Sequence, residues 1–239
     1  MRILYLIRSL GIKGGVGKTT ISLYLARYFS RSKCLFIDLD TLSYGSLILG
    51  HKKMGLIDEI LNKKPIFSES LQIFNNIHTL KMYSDPFIIS KINDEIISIA
   101  NQKLVELVKT NKWEFVIIDN PPSINPNKIT SLLNAENVVD IFITDPISVE
   151  ATVNYFNVVK SPLAINVLLL NLVPPIEKDI EEAKKVLESY RSLFDILVLE
   201  IFEERLYLYR PSRAINFESR ILNRLADAIL NKQKTIILP

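Results

Sequence analysis

Short apolar runs alternate along the chain with amphipathic stretches, and the two kinds of segment predict different elements. The apolar runs are mostly continuous and rich in Ile, Val and Leu, which is typical of strands buried on both faces of a parallel sheet. The predicted strands are Ile3–Ile7, Cys34–Ile37, Leu80–Tyr83, Phe115–Ile118, Val138–Ile143, Ile165–Leu170 and Ile196–Leu199. The helical spacing of apolar residues predicts Lys18–Phe29, Pro86–Lys109, Glu177–Tyr190 and Phe217–Leu230 as helices. This order predicts an α/β fold, in which a mostly parallel twisted sheet carries helices on both faces.

The composition is that of a folded protein with a substantial core. The chain has 239 residues, of which 48% are hydrophobic and 23% are charged, and this excludes an intrinsically disordered chain. No repeat or linker divides the sequence, so we expect one domain over residues 1–239 with a short tail at 232–239. Cys34 is the only cysteine, which excludes a disulfide scaffold and a cysteine-ligated metal site within one chain.

The apolar segments are too short to predict a membrane span, which needs roughly 18 consecutive apolar residues. The apolar stretch Met1–Leu10 lacks the basic region and the small-residue cleavage site of a secretory signal. We therefore expect a cytoplasmic protein.

Positive charge is concentrated in the last part of the chain. The net charge is only +3, but residues 205–239 hold seven Lys and Arg against two acidic residues. Such an asymmetry indicates an anionic partner, and scattered basic residues suit sequence-independent binding to DNA phosphates. The candidate DNA-binding residues are Arg205, Arg213, Arg220, Arg224 and Lys232. A solvated surface with incidental charge is the alternative.

A glycine-rich loop follows the first predicted strand and precedes the first predicted helix. Four of the seven glycines lie between residues 11 and 17, and the loop reads Lys13-Gly14-Gly15-Val16-Gly17-Lys18-Thr19-Thr20. Without Cβ atoms, such a backbone can point several N–H groups at one anion, and the helix N-terminus adds its dipole. Lys18 can then contact the β- and γ-phosphates of a nucleotide, while the Thr19 hydroxyl can ligate Mg²⁺. Ile12 stands where the general phosphate-loop pattern has another glycine.

Two further predicted strands lead into aspartates. Asp38 and Asp40 follow one strand, and Asp119 follows another. Carboxylates at the C-terminal edge of a parallel sheet lie where ligands bind in such folds, and Asp119 is placed to hold Mg²⁺ through water. Pro121 and Pro122 come next and can couple the state of the phosphate to a surface loop. Simple capping of strand ends is the alternative interpretation for Asp38 and Asp40.

These motifs together resemble the ParA/MinD superfamily of P-loop ATPases, whose deviant phosphate loop carries an additional lysine at the position of Lys13. The resemblance extends from Arg2 to about Leu230. It implies ATP and Mg²⁺ as cofactors, with ATP bound by residues 13–20. It also implies that Lys13 reaches the phosphates of the partner's ATP, so that two chains enclose two nucleotides. By the same resemblance Asp40 orients the attacking water, Asp38 lies near the Mg²⁺, and Asp119, Pro121 and Pro122 belong to the second switch segment.

Two positions are matched to the base of the nucleotide by the resemblance alone. It implies that Asn171 hydrogen-bonds the adenine edge, although a turn residue is the alternative for a single asparagine. It also implies that Pro211 packs on the base. The superfamily usually continues Pro-Gln-Gly-Asn after the residue matching Asp40, whereas this chain has Thr41-Leu42-Ser43-Tyr44. This difference affects the first switch loop and therefore the rate of hydrolysis.

The sequence favours one functional class within the superfamily. The single cysteine argues against the arsenite-pump, tail-anchor-targeting, nitrogenase-iron-protein and iron–sulfur-carrier branches, and a tail without tyrosine argues against the bacterial tyrosine kinases. A ParA/Soj-type partition ATPase remains, which dimerises with ATP, binds nonspecific DNA on the nucleoid and works with a ParB-like centromere-binding protein.

Two alternatives stay open. A MinD-like positioning ATPase would use a C-terminal basic amphipathic helix on the membrane, and this chain has an apolar stripe of Phe217, Ile221, Leu225 and Ile229. We favour a helix packed on the sheet and expect no stable membrane anchor. An ATP-dependent metabolic ligase of related fold usually lacks the lysine found here at position 13.

Overall fold

The architecture is one continuous sheet of nine strands, seen in a computed structural model that describes residues 4–126, 135–204 and 216–239. The strands are β1 (Tyr5–Leu10), β2 (Cys34–Asp38), β3 (Leu71–Phe74), β4 (Ile77–Lys81), β5 (Phe115–Asp119), β6 (Asn137–Thr144), β7 (Ala164–Val173), β8 (Ile196–Ile201) and β9 (Thr235–Ile237). Their order across the sheet is β3-β4-β2-β5-β1-β6-β7-β8-β9. Every neighbouring pair is parallel except the antiparallel pair β3–β4. The predicted mostly parallel sheet is confirmed.

Helices cover both faces of the sheet, as the sequence predicted. Within the described residues, the α-helices are α1 (Lys18–Tyr28), α2 (Tyr44–Leu49), α3 (Leu56–Leu61), α4 (Asp94–Thr110), α5 (Val149–Val159), α6 (Glu177–Ser189) and α7 (Arg220–Leu230). One face packs against α1, α2 and α7. The opposite face packs against α3 and α4 in one half and against α5 and α6 in the other. Since the central strands are buried from both sides, their sequences are apolar without alternation.

The prediction of one long helix over Pro86–Lys109 is wrong for the residues before Asp94. The structure has a separate 3-10 turn over Pro86–Lys91, and α4 begins only at Asp94. Two capping side chains cause the division, since Asp85 accepts from the Phe87 N–H at 2.8 Å and Asn93 accepts from the Ile96 N–H at 3.0 Å. Each cap satisfies backbone donors that a continuous helix would bond internally, so the chain starts a new helix after residue 93.

The segment expected to be a short tail, residues 232–239, contains the edge strand β9. Its residues pair in parallel with β8, from Thr235 opposite Ile196 to Ile237 opposite Val198. The Arg224 side chain of α7 donates from Nη1 to the Leu238 carbonyl oxygen at 3.0 Å. The end of the described chain is therefore part of the sheet, and Ile236, Ile237 and Leu238 contribute to the core.

The helix α7 packs on the sheet, as the apolar stripe in its sequence led us to expect. It begins at Arg220, because the Ser219 hydroxyl caps the Leu222 N–H at 3.1 Å, and not at Phe217 as predicted. Ile221, Leu225 and Ile229 are buried against the sheet. None of the helices in the three described ranges is both long enough and apolar enough to cross a membrane.

Candidate nucleotide-binding site

The loop between β1 and α1 has the backbone shape that the glycines predicted. Gly15 and Gly17 have φ values of 79° and 96°, a region that residues with a Cβ rarely adopt. A Cβ on Gly17 would overlap the amide nitrogen of Asn171, whereas one on Gly14 would meet nothing within 4 Å. Gly14 and Gly15 are exposed at the tip of the loop, and α1 begins at Lys18. The free N–H groups of the first helical turn therefore lie beside an open, glycine-lined surface.

Lys18 points back over this loop. Its Nζ donates to the Lys13 carbonyl oxygen at 2.8 Å, and its side chain is largely buried. Burial lowers the pKa of the Lys18 ammonium, while the charges of Asp119 and Asp40 work in the opposite direction. A desolvated ammonium that donates to a neutral carbonyl oxygen is well prepared to exchange that acceptor for a phosphate oxygen.

Asp119 lies at the C-terminal edge of the sheet with one carboxylate oxygen unused. Its Oδ1 accepts from the Ser9 hydroxyl at 3.1 Å, and the Thr19 side chain also hydrogen-bonds this carboxyl group. Its Oδ2 is buried and has no hydrogen-bond partner among the residues described. Burial and the neighbouring charge of Asp38 raise the pKa of Asp119 to about 7. An unpaired buried carboxylate oxygen beside a threonine hydroxyl fits the oxygen donors that Mg²⁺ requires.

Asp38 lies next to Asp119 in the register of β2 and β5, but its oxygens are occupied. Oδ2 accepts from the Ser46 N–H at 2.7 Å and Oδ1 accepts from the Asp40 N–H at 3.2 Å. The residue is fully buried, and this burial raises the pKa of Asp38 to about 6. The structure thus places Asp38 beside the predicted metal site, where its two oxygens fasten α2 and the turn that follows β2.

Asp40 begins the segment that the resemblance predicts to be the first switch loop. Its Oδ1 accepts from the Leu42 N–H at 3.0 Å, and its carbonyl oxygen accepts from the Ser43 N–H at 2.9 Å. Ser43 has a φ of 47°, and its hydroxyl donates to the Tyr83 carbonyl oxygen at 2.6 Å. The unusual residues 41–44 therefore form an ordered turn that leads into α2.

The segment after Asp119 is hydrogen-bonded directly to the glycine loop. Asn120 Nδ2 donates to the Ser9 carbonyl oxygen at 3.1 Å, and the Ser123 N–H donates to the Gly11 carbonyl oxygen at 2.9 Å. The Ser123 hydroxyl also donates to the Ile12 carbonyl oxygen at 2.7 Å. Pro121 and Pro122 lie between these attachments, so the segment predicted to be the second switch and the glycine loop are held together at both ends.

Lys13 has a partner that the sequence analysis did not identify. Its Nζ lies 2.6 Å from Oδ2 of Asp145, the residue that follows β6. An aspartate just beyond a strand was a signal in the sequence, but no spacing rule connects it with a lysine more than a hundred residues earlier.

The base-binding and DNA-binding predictions have different outcomes. Asn171 Nδ2 donates to the Val16 carbonyl oxygen at 2.9 Å, so this side chain stabilises the glycine loop. The contact of Asn171 with adenine stays a prediction. Arg220, Arg224 and Lys232 are exposed, as a DNA-binding role requires. Pro211, Arg205 and Arg213 lie outside the described residues.

The chain matches one family model and is similar to two curated proteins. The AAA domain family AAA_31 matches residues 5–166. The chromosome-partitioning ATPase Soj of Thermus thermophilus is 29% identical over 129 residues, which cover 53% of this chain and 50% of Soj. The uncharacterized protein MJECL24 of Methanocaldococcus jannaschii is 29% identical over 143 residues, which cover 53% of this chain and 54% of that protein. In both matches the chain spans about half the length of the curated relative.

Solved structures show the same architecture over nearly the whole chain. A plasmid partition protein of Borrelia burgdorferi bound to AMPPNP superposes with a TM-score of 0.66 at 20% identity, covering 95% of this chain and 97% of that one. MinD of Pyrococcus horikoshii with Mg-ADP gives a TM-score of 0.64 at 22% identity, with 95% and 96% covered. At these identities the likeness concerns the fold. The chain belongs to the AAA_31 family of AAA domains, and its fold is that of the ParA/MinD-type P-loop ATPases.

Proposed function

We propose that this chain is a Mg²⁺-dependent ATPase of the ParA type, which forms a homodimer with ATP, binds nonspecific DNA in that state and releases it after hydrolysis to ADP and phosphate. One observation carries the proposal. A glycine loop in left-handed conformation, a buried lysine with an exchangeable partner and an aspartate with an unpaired oxygen lie together at one edge of the sheet. The glycine loop suits a phosphate group, the lysine suits the negative charge of that phosphate, and the aspartate suits a metal ion.

Each residue of the site has a definite part in hydrolysis. The N–H groups of residues 14–20 bind the phosphates, and Lys18 leaves the Lys13 carbonyl oxygen for the β- and γ-phosphates. Thr19 and Asp119 would hold Mg²⁺, which supplies charge neutralisation on the phosphate oxygens when bound. Asp40 orients the attacking water, and Asp38 keeps Asp40 in place through the Asp40 N–H. Lys13 of the partner chain completes the site.

The DNA-binding surface is assigned to α7 and the turn after it. Arg220 and Arg224 are exposed and four residues apart, so they lie on the same face of the helix, and Lys232 is exposed nearby in the chain. Contacts of this kind are electrostatic and independent of base sequence. A ParB-like centromere-binding protein would accelerate hydrolysis and localise the chain to its cargo on the nucleoid. The Soj relative, a chromosome-partitioning ATPase, supports this role.

Nucleotide binding and phosphate release by three forms of the protein test the proposal. Wild type should bind Mg·ATP and release phosphate slowly. Lys18→Ala should bind no nucleotide, because it loses the ammonium group that lies over the loop and would contact the β- and γ-phosphates. Asp40→Ala should bind ATP and remain an ATP-bound dimer with little phosphate release. An Asp40→Ala variant that hydrolyses at the wild-type rate would contradict the role given to Asp40.

A MinD-like positioning ATPase is the second candidate, and the similarity to the Pyrococcus MinD structure favours it. The apolar stripe of α7 that would contact a membrane is instead buried against the sheet. Sedimentation with anionic liposomes in the presence of a nonhydrolysable ATP analogue separates the two. Co-sedimentation would favour positioning at a membrane, while a protein left in the supernatant would favour partition.

A further inference from the structure

Lys13, the residue expected to reach a second chain, is engaged within its own chain. Its Nζ forms the 2.6 Å ion pair with Asp145 Oδ2 described above. The Lys13 side chain remains 43% exposed, and that of Asp145 is 15% exposed. The pair therefore lies at the rim of the nucleotide site, where it can open without disturbing the core.

Asp145 is fixed in position independently of Lys13. Its Oδ1 accepts from the Ser148 N–H at 3.0 Å, and its carbonyl oxygen accepts from the same N–H at 3.1 Å. These bonds form the turn that leads into α5. Partial burial opposes ionisation, but the hydrogen bonds from Lys13 and Ser148 outweigh it and hold the pKa of Asp145 below its usual value. Lys13 thus meets a carboxylate that the turn already orients, and its own hydrogen bond helps to keep that carboxylate charged.

The backbone of Lys13 is also held by the nucleotide site. Lys18 Nζ donates to the Lys13 carbonyl oxygen, so residue 13 has one contact from its main chain and another from its side chain. A phosphate that attracts Lys18 would remove the first contact and leave the ion pair with Asp145. Nucleotide binding alone therefore does not free the Lys13 side chain.

We propose that Asp145 is a positioning residue that retains Lys13 within its own chain and thereby opposes ATP-driven dimerisation. The proposal rests on the proposed function, because it takes the reach of Lys13 to a second chain's nucleotide as the step that is opposed. A symmetric dimer contains two such pairs, and both have to open. Asp145 therefore raises the protein concentration at which the ATP-bound chain becomes a dimer.

Replacing Asp145 by asparagine tests this directly. Asp145→Asn removes the charge but keeps an oxygen for the Ser148 N–H, so the turn before α5 is preserved. With a nonhydrolysable ATP analogue and Mg²⁺, the dimer dissociation constant from light scattering on dilution should fall about 3- to 10-fold, as two part-exposed ion pairs no longer have to open. The affinity for the nucleotide should not change. Glu150→Gln is the matched control, because it removes an exposed acidic charge from α5 and should dimerise like wild type.

Two further measurements separate the possible failures. Lys13→Gln combined with Asp145→Asn should show no gain over Lys13→Gln alone, since there is then no lysine to release. In the nucleotide-free monomer, the pKa of the Asp145 carboxyl, followed by carbon NMR, should rise when Lys13 is replaced by Gln. A wild-type dimer whose dissociation constant is unchanged or raised by Asp145→Asn, or an Asp145 pKa indifferent to Lys13, would overturn this inference alone. No ATP-dependent dimer in any variant would contradict the proposed function as well.

Discussion

At the scale of single residues, Gly17 and Gly14 provide a matched test of the phosphate loop. Gly17→Ala should lower the free energy of unfolding by about 2–4 kcal/mol, because it combines a left-handed φ with overlap on the Asn171 side chain. Gly14→Ala should change it by less than about 0.5 kcal/mol, since its Cβ would enter open space. Chemical denaturation without nucleotide measures both. Equal losses in the two variants would contradict the loop geometry described here.

Asp119 is the residue on which the predicted metal dependence rests. Asp119→Asn keeps the size of the side chain but removes the charge from the unpaired Oδ2. The affinity of the wild type for ATP should fall when EDTA replaces Mg²⁺, and this Mg²⁺-dependent part should shrink by about 10-fold or more in the variant. Titration calorimetry with and without EDTA gives both values. A variant with an undiminished response to Mg²⁺ would place the metal on other residues.

The sequence predicted some residues of the site but not the long-range contacts between them, for a physical reason. The glycine loop, Lys18 and Asp119 were identified because their chemistry depends on local spacing or on a position at a strand end. The contacts of Asn171 with Val16 and of Asp145 with Lys13 join residues more than a hundred positions apart. Such contacts follow from the order of strands across the sheet, which short-range patterns do not specify.

At the scale of elements, a polar network joins β8, α7 and α1. Glu200 accepts from the Ser219 hydroxyl at 2.8 Å, Ser219 caps α7, and the Tyr24 hydroxyl of α1 donates to the Ser219 carbonyl oxygen at 2.8 Å. Burial raises the pKa of Glu200 to about 7, with a smaller contribution from Glu203. The phosphate-loop helix and the candidate DNA-binding helix are thus connected through Ser219, which the buried Glu200 carboxyl group attaches to β8.

This network predicts a pH dependence of stability. Because the native pKa of Glu200 is raised, the native chain retains a proton that the unfolded chain releases. The stabilisation that this retained proton contributes is complete below about pH 4.5 and is lost as the pH rises through about 7. The free energy of unfolding of Glu200→Gln, measured relative to that of wild type, should therefore increase by about 1–3 kcal/mol as the pH is raised from 5 to 8. Urea unfolding of both proteins at the two pH values measures the difference. A difference that is constant with pH would show that Glu200 titrates normally.

The elements themselves were predictable where burial is two-sided. Continuous apolar runs located six strands, because a strand covered by helices on both faces has no polar side. The run Leu80–Tyr83 shares only residues 80 and 81 with β4, whose first half is broken by the polar His78 and Thr79. The short edge strands β3 and β9 were missed, since strands of four and three residues carry too little pattern. Arg8 and Asp140 interrupt two apolar runs, and the structure explains them, as they are neighbours in the β1–β6 register and form a buried ion pair at 2.6 Å.

At the scale of the whole molecule, the sheet places the nucleotide site and the candidate DNA surface on different elements. The site lies where β1, β2 and β5 end, and the exposed arginines lie on α7, which packs beside α1. A nucleotide can influence such a surface by bringing two chains together, because paired basic faces bind DNA more tightly than single ones. DNA binding should therefore depend on the nucleotide through dimerisation.

DNA binding as a function of nucleotide state tests the central claim most directly. A random-sequence duplex is titrated with the protein and Mg²⁺ without nucleotide, with ADP and with a nonhydrolysable ATP analogue, over a series of salt concentrations. The account predicts tight binding with the ATP analogue only, weakening steeply with salt because phosphates are neutralised by basic residues. Binding that is absent in every state, or equally strong in all three, would contradict it.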